Sequence, residues 1–170
     1  MDKARQTCAE MFSQRGYEIL EETEDQIIAA KQDDTQVVAF FFKGDKFNVK
    51  NIQSYIGVMN ELGIYHAIVI YENGVTSFTK KVVEQSSEME FELFSKADLQ
   101  YNITKHILQP EFEKLDPEES EEFKKKYGLK FAVLRKEDPI VKFYNYKRGD
   151  VIRVTRGKKE KYITYRIVKG

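Results

Sequence analysis

The chain has 170 residues, 41% of them apolar and 33% charged, with 28 Lys and Arg balancing 28 Asp and Glu. Twelve Phe and ten Tyr supply a core and exclude a disordered chain, while a single cysteine, Cys8, excludes an internal disulfide and a cysteine-rich zinc site. The zero net charge hides a gradient: from Lys142 onward ten Lys or Arg meet only Asp150 and Glu160, so this end carries +8 and the first 141 residues −8.

The opening MDKARQTCAEMF has no signal-peptide apolar run, and no stretch approaches a membrane span. A reducing, intracellular setting without a membrane partner is expected, so the Asn102-Ile103-Thr104 sequon reads as a chance match. Ala4, Cys8, Met11 and Phe12 recur at helical spacing over residues 2–15, and Gly16 ends that helix. Residues 18–30 and 36–42, rich in β-branched and aromatic side chains, read as one hairpin turned at Lys31-Gln32-Asp33-Asp34.

Asn48 offers an N-cap to a helix with Ile52, Tyr55, Ile56 and Met59 on one face, closed by Gly63. The apolar run Ile64–Tyr71 suits a buried strand, Asn73-Gly74 a turn, residues 76–84 a short helix or extended arm, and Met89–Phe94 a half-buried strand. These alternating elements predict an α/β layer structure over residues 1–97.

Residues 98–122 mix two prolines with a dense acidic run and read as a linker leading into a second domain, 98–170. Asp116 caps a helix with Pro117 in its first turn and Lys124, Lys125 and Lys126 near its end, which complements the helix dipole. Asp138-Pro139 opens a second short helix carrying Ile140, Val141 and Phe143. Arg148-Gly149-Asp150 then turns the chain into a strand from Val151, and Gly157-Lys158-Lys159 returns it as Tyr162–Val168. The expected product is a module of two helices and a β-hairpin.

Catalytic signatures are thin. His66 and His106 lie far apart and lack ligand-spaced neighbours, and no phosphate-binding glycine loop or nucleophile elbow is present. A metal-dependent nuclease would need carboxylates on adjacent strands, yet residues 36–42 are apolar there and Asp33 and Asp34 suit a turn. The acidic run from Glu111 to Glu122 reads as a solvated helix start. Lys80 and Lys81, beside Thr76, Ser77 and Thr79, form a small donor-rich patch suited to phosphate oxygens. The basic hairpin fits either phosphate or an acidic protein surface, and charge alone does not separate the two.

Particular residues do separate them. Glu137-Asp138-Pro139-Ile140-Val141, then Tyr146-Lys147-Arg148-Gly149-Asp150-Val151-Ile152-Arg153-Val154, then Tyr162-Ile163-Thr164-Tyr165-Arg166-Ile167-Val168 closely resemble the C-terminal module of the fifth subunit shared by eukaryotic RNA polymerases. In archaea that module alone makes up the corresponding small polymerase subunit. The family's DPV-like helix start, KRG turn and YxxYR strand occur here in order. Upstream, Arg15-Gly16-Tyr17 resembles the family's RGY, residues 75–81 its ITPSAxK segment, and residues 102–110 its NITxHxLVP linker. Ser77 replaces the proline of the TPSA segment, Phe112 stands where a second His is usual, and Phe131-Ala132-Val133-Leu134 replaces a Leu-Pro-Arg-Ile segment. The first domain is also short. These departures imply a divergent lineage, such as a large DNA virus encoding its own polymerase.

The resemblance implies a non-catalytic subunit of a DNA-directed RNA polymerase, with no cofactor or metal of its own and no functional self-association. Its expected architecture is α/β (α+β), with a nuclease-like jaw domain followed by the assembly module. The module would dock on the largest subunit through Asp138, Pro139, Lys147, Arg148, Gly149, Arg153, Tyr162, Tyr165 and Arg166. Tyr162 and Tyr165 equally suit a role as core aromatics. The jaw domain would lie beside downstream double-stranded DNA, with Thr76, Ser77, Lys80 and Lys81 contacting its backbone. The implied location is the nucleus for a cellular protein, and the viral factory or virion for a virus-encoded one. Two other readings are a free nucleic-acid-binding module and a diverged metal-dependent nuclease.

Overall fold

A computed structural model describes residues 2–170. Helix α1 (Asp2–Gln14) buries Ala4, Cys8, Met11 and Phe12, and Gly16 leaves it at φ 89°, a left-handed angle open to a residue without Cβ. The next segment holds two strands where the sequence suggested one. Strands β1 (Glu18–Glu22) and β2 (Gln26–Ala30) pair antiparallel, and β3 (Gln36–Phe42) adds a second hairpin. The extra turn has no Gly or Pro to announce it. It closes because the Thr23 amide donates to the Gln26 carbonyl at 2.9 Å while the Gln26 amide reaches the Thr23 hydroxyl at 3.3 Å.

Helix α2 (Val49–Leu62) begins with a reciprocal cap: Asn48 Oδ1 accepts from the amides of Lys50 and Asn51, and Asn51 Oδ1 accepts from the Asn48 amide at 3.0 Å. Strand β4 (His66–Tyr71), helix α3 (Ser77–Gln85) and strand β5 (Glu90–Ser95) follow. The segment that suited either a short helix or an arm is thus a helix, with Thr76 Oγ1 accepting from the Thr79 amide. The sheet order is β1-β2-β3-β4-β5, antiparallel from β1 to β3 and parallel from β3 to β5. Parallel neighbours need crossovers, which α2 and α3 supply.

Alternation along the strands divides the core. Ile28, Val38, Phe40, Ala67, Val69 and Phe91 meet Ile52 and Met59 of α2, while Ile27, Ala29, Val37, Ala39, Phe41, Ile68 and Ile70 alternate with them and are buried on the opposite side. There Arg5 of α1 lies over the Phe41 ring at 4.3 Å. A buried ion group ties α1 to the sheet. Arg15 donates to both oxygens of Glu92, at 2.9 and 2.8 Å, and His66 Nε2 lies 2.6 Å from Glu92 Oε2. Burial alone would raise the Glu92 pKa, but Arg15 and His66 outweigh it and hold the carboxyl at about 2.

The chain divides into two units, through Tyr101 and from Asn102 to Gly170. The division falls beyond the 97/98 boundary read from composition, because residues Ala97–Leu99 form a 3-10 turn that packs with α1 and buries Leu99. The second unit has another 3-10 turn at Ile103–Lys105, then β6 (Glu111–Lys114), α4 (Pro117–Tyr127), β7 (Val133–Arg135), α5 (Pro139–Tyr144), β8 (Val151–Arg156) and β9 (Tyr162–Lys169). The expected two helices and hairpin are present, within a four-stranded sheet of order β6-β8-β9-β7. Strand β6 corrects the linker reading of residues 98–122, and β7 was not foreseen. Both are edge strands of three or four residues, too short to show alternation. Gly157 is forced by space at the β8–β9 turn: a Cβ there would sit 2.1 Å from the Glu160 carbonyl oxygen.

Two stability measurements check this architecture. Replacing Asn48 with Ala should cost about 1 kcal/mol in urea unfolding, because it strands two amide donors at the α2 start. Arg15→Ala should cost about 3 kcal/mol at pH 7, because the buried Glu92 carboxylate loses its two-pronged partner and keeps only His66 beside it. The Glu92 pKa is depressed on folding, so its stabilisation is complete above the ordinary value of 4.5 and fades as pH falls towards about 2. Glu92→Gln should flatten the loss of stability across that window.

Candidate subunit-docking and nucleic-acid interfaces

The β8–β9 hairpin sorts the docking candidates by face. Its register pairs Ile152 with Arg166, Val154 with Thr164 and Arg156 with Tyr162, which places these six on one face; Arg153 pairs with Tyr165 on the other. On the first face Ile152, Val154 and Val168 form a core with Leu134, Ile140 and Val141. Towards the Gly157 turn the same face emerges: Arg156 and Arg166 are half-buried and Tyr162 is exposed. Arg166 has no carboxylate partner among the described residues.

On the opposite face Arg153 and Tyr165 make contacts within the unit, while Ile163 near the turn is exposed. Tyr165 packs against Phe123 of α4 with ring centroids 4.5 Å apart. Arg153 donates to Glu113 at 3.0 Å and lies 3.9 Å from Glu119; the neighbouring Tyr165 hydroxyl and Glu113 raise its pKa above the ordinary value. These two candidates are therefore committed to joining β6, α4 and the hairpin.

The remaining candidates form helix starts and turns. Asp138 Oδ1 accepts from the Ile140 amide at 2.9 Å, and Pro139 occupies the first turn of α5, where a missing N–H costs nothing. The Lys147 amide donates to Asp150 Oδ2 at 2.7 Å, and Gly149 donates to the Val168 carbonyl at 2.8 Å. This turn leaves Arg148 exposed at its tip, again without a carboxylate partner among the described residues.

In the first unit, Phe42, Tyr71 and Ser95 lie side by side at the C-terminal ends of the parallel strands. The loops leaving that end are stitched together: Phe47 bridges Val75, Asn73 Nδ2 donates to the Gly44 carbonyl at 3.0 Å, and the Thr76 amide reaches the Phe47 carbonyl at 3.2 Å. Thr76 is occupied as the α3 cap, while Ser77, Lys80 and Lys81 are exposed on α3. Sequence reasoning missed Lys46 and Lys50, which are exposed on the neighbouring loop and α2 start. Only parallel pairing brings the starts of both crossover helices to one sheet end, so separation along the chain concealed the group. Lys43 and Lys96 are paired with Glu24 and Glu72, at 2.9 and 3.4 Å. Lys46, Lys50, Lys80 and Lys81 have no carboxylate partner among the described residues.

The carboxylates considered for a nuclease lie elsewhere. Asp33 Oδ1 accepts from the Thr35 amide at 3.0 Å and Asp34 takes φ 66°, both as parts of the β2–β3 turn. The adjoining β3 is buried from Val37 to Phe41.

Comparison with known proteins bears on both interfaces. Residues 101–168 match the family model described as RNA polymerase Rpb5, C-terminal domain. A DNA-directed RNA polymerase subunit of Invertebrate iridescent virus 6 is 35% identical over 184 residues, covering 98% of each chain. Subunit RPABC1 of RNA polymerases I, II and III from Caenorhabditis briggsae is 29% identical, covering 98% of this chain and 94% of its own. The Dictyostelium discoideum subunit of the same name is 31% identical, covering 81% and 74%. The likeness to the viral subunit and to RPABC1 runs through both units, and the chain belongs to the Rpb5 family, the fifth shared subunit of DNA-directed RNA polymerases, as a non-catalytic structural component of the multisubunit enzyme.

Proposed function

We propose that the second unit docks on the largest polymerase subunit and that the first unit lies in the lower jaw beside downstream double-stranded DNA. The observation that carries the docking half is the uncovered end of the β8–β9 sheet, where Tyr162, Arg156 and Arg166 share one face, with Arg148 exposed at the α5–β8 turn. Cations left without an internal partner suit an acidic face of another subunit, where complementarity sets register and association rate. Asp138, Pro139, Lys147 and Gly149 build the turns that present these groups. Arg153 and Tyr165 hold the unit together.

Lys46, Lys50, Lys80 and Lys81 support the jaw half. Four exposed ammonium groups at one sheet end suit duplex phosphates, and such contacts position DNA without reading its sequence. The iridescent-virus relative supports a viral source, with function in the compartment where the virus transcribes; a cellular version would act in the nucleus.

Affinity purification of the tagged chain from its source cells at moderate salt tests the docking half. The two largest polymerase subunits should co-purify, and Arg148→Glu with Arg166→Glu should lose them without lowering the Tm of the isolated chain. Recovery alone, or with nucleic acid only, would instead favour a free nucleic-acid-binding module. Arg153→Ala should behave oppositely, costing about 1 kcal/mol of stability while docking persists.

The jaw half is checked by salt titration of the polymerase on a downstream duplex. Lys80→Glu with Lys81→Glu should leave assembly intact and reduce the slope of log K against log salt by about two, one per lost phosphate contact. An unchanged slope would remove these lysines from the DNA path.

A further inference from the structure

We propose that the β1 edge and the cleft beside it form a docking surface for an extended, Lys- or Arg-bearing segment of a partner protein. Strand β1 is an edge of the five-stranded sheet, and all five of its residues are exposed, including Ile19 at 41% and Leu20 at 60%. The pairing shifts between Ile19, opposite Ala29, and Glu21, opposite Ile28, so Leu20 is the extra residue of a bulge. A bulge re-aims its side chain and locally ends the ladder. Leu20 lines a cleft of about 700 Å³ together with Ala30, Gln36, Glu18, Asp33 and Asp34.

Charge identifies the occupant. Glu18 and Glu21 lie on the strand itself, Asp33 and Asp34 on the adjoining turn, and the unit through Tyr101 holds ten Lys and Arg against seventeen Asp and Glu, a net of −7. The cation lining the cleft, Lys31, lies over the Tyr17 ring at 4.9 Å. This surface repels nucleic-acid phosphate. It also repels a second copy of itself, since antiparallel addition of β1 to β1 would set Glu against Glu across the new ladder. An extended basic segment instead satisfies the outward backbone groups on either side of the bulge, sets an apolar side chain against Leu20 and places cations among the carboxylates. The cleft is at the start of β3, whereas the lysine patch is at its end, so both surfaces can be occupied at once.

The full-length chain tests this with a fluorescein-labelled heptapeptide alternating Lys and Leu, with heptalysine as the charge-only control. The alternating peptide should bind more tightly than heptalysine, and its amide chemical-shift changes should be confined to residues 16–22 and 30–36. Leu20→Ser, and separately Glu18→Lys with Glu21→Lys, should each weaken binding by about ten-fold at unchanged Tm, because these side chains are exposed. Polymerase containing the chain should bind the peptide as the isolated chain does. Several results would overturn the proposal: equal binding of heptalysine, wild-type affinity in the variants, or shifts spread over all acidic surfaces. Loss of binding in the polymerase would assign the edge to a neighbouring subunit, and self-association abolished by Leu20→Ser would assign it to a second copy.

Discussion

Successive side chains on a strand point to opposite faces, and that period of two governs what each sheet of this protein can offer. In the β8–β9 hairpin one face takes Ile152, Val154 and Val168 into a core, and the other takes Arg153 and Tyr165 into contact with β6 and α4. A partner is left the end of the first face that the core does not cover, together with the turn bearing Arg148. A one-residue slip would bury Arg166 and expose Val168, so the register of this hairpin specifies both the fold and the docking residues.

The first unit solves a different version of the same constraint. Its central strands are buried on both faces, β3 from Val37 to Phe41 and β4 from Ala67 to Ile70, so neither face is available for binding. Recognition falls to the sheet's ends and its open edge. The parallel strands gather the helix-start lysines at one end, while the antiparallel β1 leaves an exposed acidic edge. The Arg15–Glu92–His66 group holds the arrangement together, binding the end of α1 to β5 and β4 where a hydrophobic contact would have set no fixed geometry.

Charge segregation follows from this division of surfaces. The first unit carries −7, yet its lysine patch lies at one end of β3 and the Glu18, Asp33 and Asp34 cleft at the other. A net charge averages over features that act within about 10 Å of themselves at ordinary salt, so the local groups decide which partner approaches which surface. The chain's net of zero therefore says little about what it binds.

Local signals in the sequence determined much of the fold. Gly16 and Gly63, the Asn48 and Asp116 caps, Asp138-Pro139 and the Gly157 turn each act within a few residues, so the helices they bound and the closing hairpin were legible. The Asp-Pro, Lys-Arg-Gly and Tyr-x-x-Tyr-Arg motifs likewise carried the family, because they combine turn and strand chemistry in a fixed order. What the sequence left open depended on contacts between distant segments. Strands β6 and β7 are strands because β8 and β9 offer them hydrogen-bonding partners, not because four or three residues show a pattern. Tertiary structure also divided residues that look alike in sequence: Arg153 is satisfied by Glu113, 40 positions away, while Arg166, on the facing strand, points to the other face. It joined Lys46 and Lys50 to Lys80 and Lys81 as well, since parallel pairing of β3 and β4 sets the register across the intervening crossover. Short-range turn chemistry is written within a few residues, whereas the identity of a neighbouring face is fixed only when the sheet closes.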